Sequence, residues 1–330
     1  MRFSKITAVA YHLPERILPD SEIARLHPEW DITRISQKTG IVERRRAGVN
    51  ETALALGVKA AERLFMGNGL SRVMVDAAIF CTQNPDYVLP PNSCLAHARL
   101  GLRADIPVYD LSHGCAGFVS ALSMADALVR AGMARHVLVI TADTYSKRMN
   151  PDDRAVQTLF GDAGAATLVS ESNVECIGSF AFDTDGTGAQ NLIVPMSGAR
   201  GGEVKGTASP GLRGPKDLYM NGREIMAFAI SKVPELMDRS LSKAGLSVGD
   251  IDWFVFHQAN VFMLENLKAI CGLPDDKFVI NMQKIGNAVS ASIPIALRMT
   301  IDEGRIKRGD RILSVGFGVG YESGAMIMTL

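Results

Sequence analysis

The stretch Tyr109-Asp-Leu-Ser-His-Gly-Cys115-Ala-Gly-Phe-Val-Ser-Ala-Leu-Ser-Met-Ala-Asp-Ala-Leu-Val129 decides how the rest of the chain is read. An extended apolar lead-in from Ile106 runs into Gly114-Cys115-Ala116-Gly117, after which Phe118, Ala121, Leu122, Ala125, Leu128 and Val129 recur at helical spacing. The cysteine is therefore expected at a strand-to-helix turn. Flanking glycines let a ligand or another backbone approach the sulfur, and the positive end of a helix favours thiolate over thiol. Read alone, the same stretch also suits a small buried cysteine at a helix start.

On either side, strands alternate with helices. Ile6–Tyr11 reads as a strand, Ser21–Leu26 as a short helix capped by Ser21, and Trp30–Gly40 as a polar, looped or helical insert. Thr52–Phe65 has helical spacing and stops at Gly67-Asn68-Gly69; Asp76–Cys81 is an apolar strand, followed by a proline-rich loop and a helix through Leu100. After the Cys115 unit come the strand His136–Ala142 and the apolar run Gly164–Val169. The alternation predicts an α/β protein with a largely parallel sheet. Asp183–Pro215 is glycine-rich and aperiodic and reads as a long functional loop.

The pattern then starts again. Gly69-Leu70-Ser71, leading to Val75-Asp76 and Ile79-Phe80, is matched 176 residues later by Gly245-Leu246-Ser247, leading to Ile251-Asp252 and Val255-Phe256. The same offset carries Arg135-His136-Val137 onto Arg311-Ile312-Leu313. An internal duplication predicts two similar halves, 1–175 and 176–330, related by a pseudo-twofold that brings equivalent strand ends to one site.

Lys+Arg and Asp+Glu both number 35, so no global field steers the chain to nucleic acid or to an anionic membrane. Glu43-Arg44-Arg45-Arg46 is the one dense basic run, read as a solvated face or a phosphate contact. The five cysteines form no CxxC pair, which suggests neither a zinc site nor a disulfide framework and is in keeping with a reducing compartment. Cys81, Cys94, Cys176 and Cys271 are read as packing residues. No stretch approaches the ~20 apolar residues of a membrane span. A cytoplasmic protein is expected.

In the second half, the strand Asp252–Phe256 stops at His257-Gln258-Ala259-Asn260, and Lys284-Ile285-Gly286-Asn287-Ala288 precedes a helix from Ser292 to Glu303. Ligands in α/β sheets bind at the carboxyl ends of strands, so Cys115, His257 and Asn287 are candidates for one site. His113 is a rival partner for Cys115, which would make a cysteine–histidine hydrolase.

The ordered set Thr39-Gly40-Ile41, Glu43-Arg44, Gly114-Cys115-Ala116-Gly117-Phe118, Phe160-Gly161-Asp162-Ala163-Gly164-Ala165, His257-Gln258-Ala259-Asn260, Gly286-Asn287-Ala288 and Gly316-Phe317-Gly318-Val319-Gly320 resembles the β-ketoacyl-acyl-carrier-protein synthase III family of thiolase-like condensing enzymes. The resemblance implies a thiolase-like fold, a five-layer αβαβα arrangement of two α/β halves. It implies that Cys115 is acylated from a coenzyme A thioester, with the N–H groups of Cys115 and Val319 as oxyanion hole. His257 and Asn287 would then stabilise the enolate formed by decarboxylation of a malonyl thioester, on acyl carrier protein or on coenzyme A, ahead of a Claisen condensation. Arg34, Lys38, Thr39, Arg154, Met220, Gly222 and Asn260 fall at positions that line the coenzyme A and pantetheine path, and Leu89, Phe160 and Phe317 at positions around the acyl pocket. No metal or redox cofactor is implied, and a homodimer is.

Some positions depart from the family. Arg34 and Lys38 stand where a tryptophan and an arginine hold adenine, Phe262 replaces a carrier-docking arginine, and Leu89 replaces a phenylalanine that closes the acyl pocket across the dimer. Tyr321-Glu322-Ser323-Gly324 lacks a common tryptophan. The alternative within the fold is an acyltransferase that passes the acyl group to a hydroxyl or amine without condensation; an inactive scaffold is a third reading.

Overall fold

The computed structural model describes residues 2–200 and 216–330. β1 (Phe3–His12) leads to a small hairpin of β2 (Ile17–Pro19) and β3 (Glu43–Arg45), with α1 (Asp20–Leu26) and α2 (Ile32–Thr39) between its strands. Ser21 does not cap α1: the helix already includes Asp20, whose carboxylate is held by Arg44 and Ser36. The Trp30–Gly40 insert is helical because Asp31 accepts from the Arg34 N–H at 3.1 Å and Gly40 closes the helix at φ 69°.

The basic run is not a solvated face. Arg44 is fully buried, paired with Asp20 and donating from Nε to the Thr158 carbonyl at 2.7 Å and from Nη2 to the Ile41 carbonyl at 3.2 Å. A buried guanidinium is tolerated when its donors are met in this way. Arg46 is buried as well.

The first half continues with α3 (Ala53–Asn68), β4 (Ala77–Cys81), α4 (Asn92–Leu100), β5 (Val108–Leu111), α5 (Gly117–Arg130), β6 (His136–Asp143), α6 (Arg154–Gln157) and β7 (Ala163–Ser172). Thr52 caps α3 through the Ala55 N–H at 3.2 Å. The second half holds β8 (Ile177–Thr184), β9 (Leu192–Ile193), β10 (Tyr219–Met220), α7 (Gly222–Ala244), β11 (Trp253–Phe256), α8 (Val261–Ile270), α9 (Ser292–Asp302), β12 (Arg311–Gly318) and β13 (Glu322–Thr329). The expected Asp183–Pro215 loop is thus partly ordered: β8 runs to Thr184, a 3₁₀ turn covers Gly186–Asn191, and β9 pairs with β10. Its remainder, 201–215, lies outside the described residues.

Two sheets carry the fold, one in the order β1-β7-β6-β4-β5 and one in the order β11-β12-β13-β8. They are mixed rather than largely parallel: β4 pairs in parallel with β5 and β6, and β11 with β12, while the other pairings in these sheets are antiparallel. Three residues join β12 to β13, too few for the crossover that parallel pairing needs. α5 packs against strands of both sheets, α9 lies beside it against β1, β7 and β11, α3 and α4 cover the outer face of the first sheet, and α7 covers the outer face of the second. This gives the five layers of the thiolase-like fold.

The duplication is visible in atomic detail. Gly69 and Gly245 both end a helix in the left-handed region, at φ 60° and 67°. Asp76 then accepts from the N–H groups of Arg135 and His136 at 2.9 and 3.1 Å, and Asp252 accepts from the N–H of Arg311 at 2.8 Å, each fixing the start of the next parallel strand. Where the first half has β5, the second keeps a single parallel bridge, Phe254 to Phe278.

Candidate active site

β5 ends at Leu111 and α5 begins at Gly117, so Cys115 sits in the turn between them, as the apolar pattern requires. Space there is tight. A Cβ on Gly318 would lie 2.8 Å from the Cys115 Sγ, and one on Gly114 would meet Gln83 Oε1 at 2.4 Å and Val319 Cγ1 at 2.6 Å. The β12–β13 turn is therefore pressed against the sulfur, and the N–H groups of Val319 and of Cys115 itself donate toward it.

The thiolate expectation does not hold for the resting site. Burial, reinforced by the Asp143 carboxylate, pushes the Cys115 thiol up to about 12, and those two N–H donors offset this only in part. Asp143, the last residue of β6, is itself fully buried and pushed up to about 7 by burial. It accepts from Thr82 Oγ1 at 3.1 Å, the Gln83 N–H at 2.9 Å and Ser290, and so ties the first half to the loop that follows Asn287.

His257 lies just past the end of β11, its N–H donating to the Val315 carbonyl at 2.8 Å. Its Nδ1 is 2.7 Å from Ser292 Oγ, and its ring meets Phe317 edge-on at 5.5 Å. Burial pulls His257 down to about 3, so the ring is neutral. Asn287 is held by its own turn: Oδ1 accepts from the Val289 N–H at 2.9 Å, which leaves the amide N–H₂ as the free functional end. Its backbone bonds Leu159 and Gly161, each at 2.9 Å, and a Cβ on Gly161 would lie 1.9 Å from the Ile285 carbonyl oxygen, so only glycine lets the two loops close.

Cys115, His257 and Asn287 line one cavity of about 90 Å³ together with Phe160, Phe317, Met220, Gly222 and Asn260. Leu159, Leu192, Ile225, Ala259 and Met263 complete an apolar wall that the sequence did not single out. Arg34, Lys38, Thr39 and Arg154 are outside it. The end of α2 abuts the start of α8, where a Cβ on Gly40 would overlap Val261 at 2.0 Å and Lys38 Nζ stands 4.6 Å from the Phe262 ring centroid. Asn260, the N-cap of α8, links this corner to the cavity, and α6, with Arg154 as its first residue, packs on β10 beside Met220. Leu89 does not line this chain's own cavity; it is exposed in the Thr82–Pro91 loop.

His113 is not the partner of Cys115. Its Nδ1 pairs with Glu322, which also accepts from Ser120 Oγ at 2.8 Å and thereby holds His113 away as a base for the sulfur. Of the other cysteines, Cys81 is buried, but Cys94 is exposed rather than packed. Ser292, Asp143 and Glu322 were missed from sequence, although Asp143 carried the usable signal of a carboxylate at the carboxyl end of a core strand.

Comparison with known proteins agrees with this geometry. The family profile of 3-oxoacyl-[acyl-carrier-protein] synthase III matches residues 109–186, and that of its C-terminal part matches residues 241–330. The β-ketoacyl-[acyl-carrier-protein] synthase III of Alkalilimnicola ehrlichii is 34% identical over 99% of this chain and 99% of its own. A 3-oxoacyl-(acyl-carrier-protein) synthase III crystal structure at 42% identity superposes with a TM-score of 0.96 over 99% of this chain and 100% of its own. A Burkholderia xenovorans 3-oxoacyl-(acyl-carrier protein) synthase at 32% identity gives 0.95 over 100% of this chain and 95% of its own. With the cysteine turn, the buried histidine and the asparagine loop converging on one cavity, the chain belongs to the β-ketoacyl-[acyl-carrier-protein] synthase III family, acyltransferase-class condensing enzymes.

Proposed function

We propose that Cys115 takes an acyl group from acyl-coenzyme A and that His257 and Asn287 then drive decarboxylative condensation with a malonyl thioester carried by acyl carrier protein or by coenzyme A. The observation that carries this reading is that all three line one cavity while the far atom of each polar pair is tied back, His257 Nδ1 to Ser292 and Asn287 Oδ1 to Val289.

In acylation the sulfur–carbon bond forms, the bond to coenzyme A breaks, and the thiol proton leaves with the departing thiolate. Burial disfavours the free thiolate in the resting site, and the Val319 and Cys115 N–H groups offset this in part. The N–H groups of Val319 and Cys115 receive the developing oxyanion. In the second stage Ser292 donates to Nδ1, His257 presents Nε2–H, and Asn287 presents its amide N–H₂ to the thioester oxygen. Carbon dioxide leaves, the enolate carbon bonds the acyl carbon, and Cys115 departs and is reprotonated. Arg34, Lys38, Thr39 and Arg154 are assigned to the coenzyme's outer end, and Met220, Gly222 and Asn260 to its pantetheine arm. A cytoplasmic homodimer, built from chains whose halves are 1–175 and 176–330, completes the reading. The free thiols favour that compartment.

The test separates the two stages. Cys115→Ser should lose the covalent acyl adduct seen by intact mass and lose condensation, while still releasing CO₂ from malonyl thioesters. Asn287→Ala should be acylated normally yet lose decarboxylation by about 10²-fold, since one preorganised oxyanion donor contributes about 3 kcal/mol. Near-normal condensation by Asn287→Ala would sink the assignment.

A further inference from the structure

The segment 287–292 carries two groups of the site, the Asn287 amide and the Ser292 hydroxyl that bonds His257. It is held in place rather than relaxed into it. Val289 stands at φ 51°, in the left-handed region that a β-branched residue rarely occupies, and such a conformation persists only where its surroundings hold it. On one flank the hold is backbone: the Asn287 N–H donates to the Leu159 carbonyl, and the Gly161 N–H to the Asn287 carbonyl. On the other flank it is Asp143.

Among the described residues four donors meet the Asp143 carboxylate, two on each oxygen, which is the capacity of the ionised group. Oδ1 accepts from Thr82 Oγ1 at 3.1 Å and the Gln83 N–H at 2.9 Å, and Oδ2 from the Ser290 N–H at 3.2 Å and the Ser290 hydroxyl. The two oxygens serve different parts of the site. The Thr82 N–H donates at 3.0 Å to the carbonyl of Leu111, the last residue of β5, and the Gln83 side chain lies against Gly114, so Oδ1 belongs to the Cys115 turn. Ser290, on Oδ2, lies between Val289 and Ser292, and a Cβ on Gly117 at the start of α5 would be 3.5 Å from the Ser290 Cβ. Asp143 and Ser290 are both buried. The steps given above to Cys115, His257 and Asn287 leave this carboxylate unused.

What it fixes is the place of the enolate donors relative to the sulfur. That matters when the enolate carbon bonds the acyl carbon on Cys115: reacting atoms must come within about 3–3.5 Å, and misplacement by about 1 Å can cost about 10²-fold. We propose that Asp143 is a positioning residue which, through Ser290, sets the enolate against the acyl-cysteine and so couples decarboxylation to condensation. Where the coupling fails, the enolate carbon takes a proton from water and leaves as an acetyl thioester, while Cys115 keeps its acyl group. The proposal rests on the roles assigned above to Cys115, His257 and Asn287.

The test counts two products of a single turnover. Protein is loaded from butyryl- or octanoyl-coenzyme A, the adduct is checked by intact mass, and the loaded protein in excess is mixed with malonyl thioester on carrier protein and, in parallel, on coenzyme A. Wild type should release about one CO₂ per β-ketoacyl product, and Ser290→Ala and Asp143→Asn about three or more, with acetyl thioester making up the difference. Acylation should not slow in either variant, since Asp143→Asn removes a negative charge that burdens the Cys115 thiol. Ser290→Ala deletes one buried oxygen and keeps the test available should Asp143→Asn fold poorly. A change that only weakened the fold would lower both counts together and leave their ratio at one, and that result overturns the proposal. Wild-type protein that takes no acyl group, or releases no CO₂, overturns instead the reading on which the proposal rests.

Discussion

Ser292 sets which proton His257 offers. In the proposed mechanism the Ser292 hydroxyl, 2.7 Å from Nδ1, donates to it, which places the imidazole hydrogen on Nε2, toward the substrate. Ser292→Ala removes a hydrogen bond of about 1 kcal/mol, so CO₂ release from malonyl thioesters should fall roughly five- to tenfold while Cys115 acylation stays close to wild type. Ser292→Thr should recover part of the loss; equal losses in both stages would point instead to general damage. Because burial holds His257 near 3, decarboxylation by Cys115→Ser protein should stay level as pH falls from about 6 to about 5, where an ordinary histidine takes up its proton. Cys115, His257 and Asn287 were legible because each sits in a short motif at the end of an apolar strand or beside a glycine. Ser292, Asp143 and Glu322 were not, because their partners lie 35, 147 and 209 residues away, and of the three Asp143 alone has a local mark, a carboxylate at the end of a core strand.

At the scale of elements, the turn into α5 and the turn between β12 and β13 are joined by the pair His113–Glu322, with Ser120 on the same carboxylate. The hydrogen bond that His113 donates to Glu322 raises the pKa of His113, so the imidazole keeps its charge further into the neutral range than a free histidine does. One turn carries the sulfur and the other carries the Val319 N–H. Loosening the pair should therefore harm the oxyanion contact and leave His257 and Asn287 undisturbed. Glu322→Gln is expected to slow acylation by about tenfold with little change in malonyl decarboxylation, as measured by single-turnover mass spectrometry and CO₂ release. A parallel fall in both rates would show that the pair serves stability only. The helices and strands expected from periodicity are present, the strands β4, β6, β7 and β12 as runs buried along nearly their whole length, whereas α7, β8 and β13 were not singled out. The errors came where distant partners overrode local signals: Asp20 displaced Ser21 at the start of α1, and Arg44 left the surface because Asp20 and two carbonyls meet its donors.

At the scale of the whole molecule, the cavity of one chain is small and apolar, and Leu89 stands exposed at a distance from it. In the proposed dimer Leu89 reaches the partner's acyl pocket, where a smaller side chain than phenylalanine leaves room. Each methylene that fills such space contributes up to about 0.8 kcal/mol, so acyl donors longer than acetyl should be preferred and Leu89→Phe should shift preference toward shorter chains. A monomer by light scattering, fully active when dilute, would end that account. The duplicated halves also differ in a way that bears on assembly. The first half ends its sheet with β5, a full strand with one side unpaired by this chain, whereas in the second the same place has shrunk to the Phe254–Phe278 bridge. Had both halves kept the strand, each chain would offer two equivalent docking edges and copies could add without limit. If the proposed homodimer pairs β5 with its counterpart about a twofold, that edge would be used up and growth through it would close at two chains.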